Sequence, residues 1–294
     1  MEVDFSVVIA TKDRQEYLRR TLESLEGQTH APPFEVIVVD NGSADGTKSV
    51  VEACAGRSIA VRYLSEPQPN RGKARNRGAQ VAGGRYILFC DDDVWLPPAW
   101  VAAHEAAQKG DDEVVNGPIL NVPSYDARPL PTLANYSRAF LCTCNASLSR
   151  EAFFRAGGFD ETFDLYGWED TELGVRLRLA NYRWRFAWDA FLWHVKPPAE
   201  NTLEIEIRKA IEKARMAGRF LTKHPSRRAR LATGAHTLNL LRARYFLPDR
   251  LLALYAGLST SDAPGWLRHV SRGQLLDGLY ARELVRALDA GDER

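Results

Sequence analysis

The sequence predicts an α/β protein in which helices cover both faces of a mostly parallel, Rossmann-like sheet. Short, nearly uninterrupted apolar runs alternate with helix-like segments in the N-terminal part of the chain. That alternation is typical of parallel strands buried on both faces. Polar side chains follow four of these runs, at the strand ends where such sheets bind ligands. The charge pattern separates residues 201–294, which we expect to form a helical C-terminal extension.

Four apolar runs define the predicted strands of the sheet. They are FSVVIA at residues 5–10, FEVIVVD at 34–40, IAVRYL at 59–64 and YILFC at 86–90. After the first run, Leu18, Leu22 and Leu25 recur at helical spacing, which predicts an amphipathic helix. A second helix is expected to begin near Ala44, and a third lies in KARNRGAQVAGG. RWRFAWDAFLWH is another strand-like run further along the chain.

Composition places the chain among ordinary soluble proteins. It has 294 residues, of which 45% are hydrophobic and 26% are charged. Its four cysteines lack the spacing of a zinc knuckle and are expected to be free thiols in a reducing compartment. The start MEVDFSVVIA has no basic region like that of a signal peptide, and no apolar run is long enough to span a bilayer. A cytoplasmic location is therefore expected.

The charges are divided unevenly between the two parts of the chain. Residues 205–294 contain 17 Lys and Arg against 9 Asp and Glu, so this region is +8 and the remainder is −7. One interpretation is a basic surface that contacts anionic lipid, peripherally on the cytoplasmic face of the membrane. The other is a helical bundle that packs against the catalytic domain or a second copy. The bundle is favoured because no amphipathic segment with exposed Trp or Phe is evident. Nucleic acid is not expected, since stacking aromatics are not interleaved with the basic residues.

The run YILFCDDDVW joins a buried strand to three adjacent carboxylates. Like charges this close repel each other unless a positive charge lies among them. No GxGxxG motif follows the first strand, and no GxxxxGK[ST] motif occurs anywhere. Phosphate would therefore be bound through a divalent metal on the carboxylates.

Five separated motifs resemble those of family 2 glycosyltransferases with the GT-A fold. They are VVIATKDR, VIVVDNGSADGT, NRGKARNRGAQVAGGRYILFCDDDV, GGFDE and WEDTELGVRL, in that order, between about Phe5 and Pro198. The resemblance implies transfer with inversion from a nucleotide-diphosphate sugar, with a UDP-sugar favoured and Mn²⁺ or Mg²⁺ as cofactor. The acceptor would be a saccharide or a lipid-linked hydroxyl. It also implies a catalytic domain at 1–200, with a donor half to about residue 120 and an acceptor half from about 121.

Polar side chains after the four strands are the candidate contacts for the nucleotide sugar. They are Thr11, Asp13, Asp40, Asn41, Arg71, Arg75, Asp91 and Asp92. The resemblance implies that Asp40 pairs with the nucleotide base and that Thr11 and Asp13 line the same pocket. A charge-assisted contact to phosphate is expected from Arg71 or Arg75, and the sequence does not decide between them.

The three adjacent acids have different implied roles. The resemblance assigns Asp91 to the ribose and Asp93 to the metal, and the loss of Asp92 is expected to matter least. His194, in FLWHVKPP, is interpreted either as a packed side chain or as a second metal ligand. The resemblance favours the ligand.

The segment GWEDTELGVRL contains the candidate catalytic base. A helix is expected to begin near Trp168, so Glu169 and Asp170 lie in its first turn, where acids commonly complement the helix dipole. The resemblance assigns the general base to Asp170, with Glu169 nearby to hold the acceptor. Trp168 is interpreted as a core residue or as a platform for the acceptor sugar, and Asn145 is also placed on the acceptor side.

Other interpretations stay open at this stage. Residues 121–138 form an irregular, Pro-rich segment that is either a lid over the site or a plain surface connection. The pattern of Asp91 to Val94 also begins haloacid-dehalogenase-like phosphatases, although two or three strand and helix units precede it here. A non-catalytic nucleotide-sugar-binding module is the other alternative, and a homo-oligomer is possible in either case.

Overall fold

The computed structural model of the chain describes residues 3–54, 58–197 and 202–292. These residues form two compact units, one comprising 3–164 and 169–197 and the other 165–168 and 202–292. The boundary predicted between residues 200 and 201 lies outside the described residues. The short piece 165–168, just before the candidate base, groups with the C-terminal unit.

The first unit contains ten strands and six α-helices among the described residues. The strands are β1 (Phe5–Thr11), β2 (Phe34–Asp40), β3 (Ala60–Ser65), β4 (Tyr86–Cys90), β5 (Val94–Trp95), β6 (Glu113–Asn116), β7 (Ile119–Val122), β8 (Asn145–Ser149), β9 (Arg183–Phe186) and β10 (Leu192–Val195). The helices are α1 (Gln15–Glu26), α2 (Thr47–Cys54), α3 (Arg71–Val81), α4 (Trp100–Ala107), α5 (Arg150–Arg155) and α6 (Glu169–Leu179), with a 3₁₀ turn at Leu133–Asn135.

Seven strands form the main sheet in the order β3-β2-β1-β4-β8-β6-β9. All neighbours pair in parallel except β8, which is antiparallel to both β4 and β6. The mostly parallel sheet confirms the predicted fold class. The run predicted as one strand after α6 is instead two strands, β9 and β10, because residues 187–191 turn between them.

Helices cover both faces of this sheet, as the continuous apolar strands predict. On one face Leu18, Leu22 and Leu25 of α1 are fully buried. On the other face α3 lies so close that a Cβ on Gly78 would be 2.5 Å from the side chain of Val8. The second helix begins at Thr47 rather than near Ala44. The polar turn before it is closed by local hydrogen bonds, as Asn, Ser and Asp favour.

A small second sheet carries one of the predicted metal ligands to the acidic run. Its order is β5-β10-β7, with β10 antiparallel to β5 and parallel to β7. His194 lies opposite Val94, and the amide of Val195 donates to the carbonyl of Asp93 at 2.8 Å. Backbone pairing therefore fixes His194 beside Asp93.

The second unit is helical, as predicted for the C-terminal extension. Its helices are α7 (Leu203–Lys223), α8 (Arg227–Ala232), α9 (Thr237–Tyr245), α10 (Asp249–Thr260) and α11 (Gly265–Asp292), and α11 packs against α7, α9 and α10. Phe246 and Trp266 are 71% and 69% exposed. These two exposed aromatic side chains are not expected from the sequence, in which no long, strongly amphipathic segment with exposed Trp or Phe is evident. None of the described helices combines the length and apolar character needed to cross a membrane.

Candidate active site

The predicted nucleotide pocket lies at the carboxyl ends of β1 and β2. Asp40 is 5% exposed and accepts hydrogen bonds from the amide of Ser43 at 2.8 Å and from the hydroxyl of Tyr63 at 2.7 Å. Burial, and then the hydrogen bond to Asp40, raise the pKa of Tyr63 to about 12, so Tyr63 stays a donor. Asp13 accepts from the amide of Ala44 at 2.7 Å. These bonds hold the loop after β2 against the end of β1.

Asn41 and Thr11 occupy structural positions at this edge. The side-chain oxygen of Asn41 accepts from the amide of Asn70 at 2.9 Å and so positions the start of α3. The hydroxyl of Thr11, 2% exposed, donates to Asp92 at 2.6 Å. The hydrogen of this hydroxyl is therefore directed inward rather than toward a ligand.

Asp92 is more firmly held than its sequence position suggests. It is 4% exposed, and its carboxylate accepts from Thr11 and, at 3.0 Å, from Arg14. Burial raises the pKa of Asp92 to about 7, while Arg14 opposes that shift. Its backbone carbonyl also accepts from Thr21 at 2.8 Å. These contacts make Asp92 a support of the acidic run, which is a larger role than the sequence predicts for it.

Asp93 and His194 provide an anionic oxygen next to an imidazole. One oxygen of Asp93 accepts from Arg14 at 2.9 Å, and Oδ1 lies 3.0 Å from Nε2 of His194. Apart from this contact, Oδ1 is buried without a hydrogen-bonding partner. Burial alone would raise the pKa of Asp93, but the adjacent His194 and Arg14 outweigh it and lower the pKa to about 2. A buried, ionised oxygen with spare acceptor capacity suits a divalent cation.

Arg75 joins the donor-side acids to the first turn of α6. This guanidinium is 6% exposed and donates to Asp91 at 3.1 Å and to Glu169 at 3.3 Å. Arg71, the first residue of α3, is exposed instead. Of the two arginines considered for the site, Arg75 is thus the one enclosed by it. The second oxygen of Glu169 is buried without a hydrogen-bonding partner.

Asp170 lies next to Glu169 and differs from it in exposure. Its side chain is half-buried and accepts from the amide of Thr171 at 2.6 Å. Burial raises the pKa of Asp170 to about 6, the charge of Glu169 adds to the shift, and Arg75 opposes it. A carboxylate with this pKa is mostly ionised at neutral pH and still basic enough to accept a proton.

Asn145, predicted on the acceptor side, is hydrogen-bonded within the protein. It is fully buried, and its amide donates to the carbonyls of Pro118 at 3.0 Å and Ala190 at 2.8 Å. Its oxygen contacts Trp100 and His104, each at 3.0 Å. Because all these polar atoms are used internally, Asn145 ties β8 to its neighbours and has none left for a substrate.

Trp168 is also nearly buried and packs within the second unit. Its ring is 9% exposed and stacks on Phe220 with centroids 5.0 Å apart, and its indole N–H donates to the carbonyl of Lys213 at 3.1 Å. Its φ is +75°, in the left-handed region that bulky residues rarely adopt. Gly167, with φ +92°, precedes it. The stacking and the hydrogen bond stabilise a conformation that glycine would adopt without strain.

Two residues at the site were not predicted from the sequence. Arg14 binds both Asp92 and Asp93, and its only signal was its place in TKDR after the first strand. Tyr125 lies in the irregular segment and packs edge-on against Trp95, with centroids 6.0 Å apart. Its hydroxyl is buried without a hydrogen-bonding partner, and burial and nearby Asp93 raise its pKa. The segment therefore brings at least one side chain close to the acids, although its predicted role as a lid stays a prediction.

Two family models match the chain. The one described as Glycosyl transferase family 2 matches residues 6–157, just over half of the chain, and the one described as the N-terminal domain of galactosyltransferase matches residues 132–213. Among curated relatives, the validoxylamine A glucosyltransferase of Streptomyces hygroscopicus subsp. limoneus is 31% identical over 266 residues. That match covers 75% of this chain and 57% of the relative, so the chain spans less than two thirds of the relative's length.

Solved structures share the fold at low sequence identity. The mannosyltransferase PcManGT of Pyrobaculum calidifontis, in complex with GDP-Man and Mn²⁺, aligns with a TM-score of 0.62 at 18% identity, over 100% of this chain and 88% of its own. S. aureus TarS 1–349 in complex with UDP-GlcNAc aligns with a TM-score of 0.54 at 20% identity, over 99% and 92%. At these identities the likeness establishes the fold alone.

Replacing Arg75 with alanine is expected to destabilise the first unit strongly. The change leaves Asp91 and buried Glu169 without their shared cation, and breaking a buried ion pair costs about 3–5 kcal/mol. Arg71→Ala, on the exposed side of the same helix, should cost less than about 0.5 kcal/mol. Urea unfolding followed by tryptophan fluorescence measures both variants. Equal, small losses in the two variants would show that the Arg75 bridge contributes little.

Proposed function

Because the chain belongs to glycosyltransferase family 2, we propose that it moves a sugar from a nucleotide-diphosphate sugar to an acceptor hydroxyl with inversion. The observation that carries the proposal is the enclosed pair of Asp93 and His194, together with the Arg75 bridge that joins nearby Asp91 to Glu169, the residue before the half-buried Asp170. GDP-Man and UDP-GlcNAc are bound by two proteins of the same fold, which supports a nucleotide-sugar donor. We favour a UDP-sugar, and a glucosyl donor is suggested by the name of the 31% identical relative.

Asp93 and His194 are the residues that would hold the divalent metal. Oδ1 of Asp93, whose one close polar neighbour among the described residues is the His194 imidazole, fits Mn²⁺ or Mg²⁺ together with that ring, since both ions accept carboxylate oxygen and Mn²⁺ also accepts imidazole nitrogen. When bound, the metal offsets negative charge on the departing nucleotide diphosphate. Arg14 fixes the other oxygen of Asp93, so the carboxylate is oriented before the ligand arrives.

Asp170 is proposed as the general base. Inversion requires the acceptor hydroxyl to attack the anomeric carbon from the side opposite the leaving group, and the hydroxyl proton passes to the Asp170 carboxylate. Glu169 cannot serve as easily because Arg75 holds one of its oxygens. Its other oxygen is left to orient the acceptor.

Family membership argues against the phosphatase alternative. The proposed nucleophile of that alternative, Asp91, has one oxygen bound by Arg75 and lies after the fourth strand of its sheet, not the first. The candidate metal ligands and Asp170 are all present, whereas a non-catalytic module is expected to have lost some of them. Turnover of a donor decides between a binding module and an enzyme.

A panel of nucleotide sugars with Mn²⁺ tests the proposed activity. Wild type should release nucleotide diphosphate from at least one donor, measured by a coupled assay. Asp93→Ala should lower that rate by about 10²-fold or more, because the developing charge loses its metal. Asp170→Asn should lower it by about 10²–10⁴-fold through loss of the base.

The same panel has clear contrary outcomes. If wild type neither turns over nor binds any donor in a metal-dependent way, the glycosyltransferase proposal fails. If Asp170→Asn keeps the wild-type rate, Asp170 is not the base. Phosphatase activity that disappears in Asp91→Asn and persists in Asp170→Asn would favour the phosphatase.

The pH dependence of kcat should follow the raised pKa of Asp170. A base works only when ionised, so the rate should fall as the pH drops through about 6, well above the range of an ordinary aspartate. Glu169→Gln removes a neighbouring negative charge, so the pKa of Asp170 falls and the acid limb moves to lower pH. A limb that does not move in this variant would contradict the assignment.

We also propose that the second unit contacts an anionic membrane surface. Large apolar side chains are exposed on α9 and at the ends of the helices next to it, including Leu238 at 77%, Phe246 at 71% and Trp266 at 69%. Arg227, Arg228, Arg230, Arg244, Arg250 and Arg268 are exposed in the same unit. Peripheral proteins bind anionic lipid by inserting apolar side chains and by attracting the headgroups with basic residues. Such binding would bring the enzyme to a lipid-linked acceptor.

Vesicle sedimentation tests this contact. Wild type should pellet with vesicles that contain phosphatidylserine, and Phe246→Ser with Trp266→Ser should reduce the bound fraction at least about tenfold. Leu133→Ser, a matched change of an 86% exposed leucine in the first unit, should bind as wild type does. Equal binding to neutral vesicles would contradict a role for the basic charges. A concentration-dependent dimer that the double variant abolishes would instead assign the exposed apolar side chains to a contact between copies of the chain.

A further inference from the structure

A second set of metal-ligand atoms lies beside Asp93 and includes a thiol. A carboxylate oxygen of Asp91, Sγ of Cys144 and a ring nitrogen of His194 all lie within 4.8 Å of one another. Sγ of Cys144 is 3.9 Å from Nδ1 of His194, whereas Nε2 of the same ring is 3.0 Å from Oδ1 of Asp93. One nitrogen of this imidazole therefore lies near the thiol of Cys144, and the other lies near the carboxylate of Asp93.

The sheet pairing explains why these three residues meet. Strand β8 is antiparallel to β4 with Asn145 opposite Cys90, so the next positions in the register, Cys144 and Asp91, are neighbours. His194 is brought to the same place by β10. Cys144 is 8% exposed and His194 is 9% exposed, so a bound ion would be largely shielded from water.

We propose that Asp91, Cys144 and Nδ1 of His194 bind a thiophilic divalent ion of the Zn²⁺ or Co²⁺ class. An ion equidistant from three atoms no more than 4.8 Å apart lies at most about 2.8 Å from each, and small side-chain rotations bring this to the usual bonds of about 2.0–2.3 Å. On binding, the sulfur–hydrogen bond of Cys144 gives way to a sulfur–metal bond, and the proton leaves to solvent. Mg²⁺ avoids sulfur and is not expected at this position.

Occupation of this position would compete with the proposed catalytic metal, a consequence that rests on the proposed function. A neutral imidazole has one nitrogen lone pair, so an ion on Nδ1 requires a proton on Nε2. That proton faces Oδ1 of Asp93, the atom proposed to bind Mn²⁺. Zn²⁺ on the Cys144 side should therefore inhibit Mn²⁺-dependent transfer.

Co²⁺ absorption spectroscopy of the whole protein without donor tests the site directly. Wild type should develop the near-ultraviolet thiolate-to-cobalt charge-transfer band and release a proton on titration. Cys144→Ser and Cys144→Ala should lose the band, as should His194→Ala, with Co²⁺ affinity at least about tenfold weaker. Cys142→Ser, the matched change at the other thiol of the CxC pair, should keep it. Circular dichroism confirms that each variant is folded.

The absence of the band in folded wild type, or its persistence in folded Cys144→Ser, would overturn the proposal. Loss of the band in Cys142→Ser alone would move the thiolate ligand to Cys142 and also overturn it. Inhibition is measured separately, as the Zn²⁺ concentration that halves the rate of each variant relative to its own Zn²⁺-free rate. It should rise at least about tenfold in Cys144→Ser. A cobalt band without donor turnover would keep the site and reject the transferase.

Discussion

A single buried guanidinium holds the two sides of the site together. Arg75 donates to Asp91, at the end of β4, and to Glu169, in the first turn of α6. A buried charge of either sign is costly unless it is paired, so each of these groups is stable only while the others are in place. Arg75, on α3, binds both groups. It therefore fixes the distance between the acids that follow β4 and the first turn of α6, which contains the candidate base. In the same way, Arg14 forms ion pairs with both Asp92 and Asp93.

Several strands and helices could be predicted from the sequence because their positions follow from the pattern of apolar residues. β2 and β4 begin and end at the predicted residues, and Leu18, Leu22 and Leu25 form the predicted apolar face of α1. The motif resemblance was confirmed by the match to the family model. The antiparallel insertion of β8 was not foreseen, since strand order depends on contacts between distant segments that local patterns do not encode.

Side-chain partners were harder to predict than positions. Asn145 stands in a family-like segment, yet nothing in the sequence indicates that its amide is used by Pro118 and Ala190. Trp168 was ambiguous because one aromatic ring serves equally well in a core or under a sugar, and only Phe220, more than fifty residues later, decides the matter. The choice between Arg71 and Arg75 depended on which face of α3 meets the sheet, and the weakly amphipathic sequence of that helix did not reveal it.

The placement of His194 on β10 has a consequence for the order of events during synthesis. About a hundred positions separate it from Asp93, so at roughly 5–20 residues per second the imidazole leaves the ribosome seconds after the carboxylates. Until β10 pairs with β5 and β7, the acidic run lacks the imidazole that we propose as a metal ligand. Capture of the proposed metal would thus be a late step in the folding of the first unit. A chain interrupted before Leu192 would contain the residues of the predicted nucleotide pocket but could not form the proposed metal site.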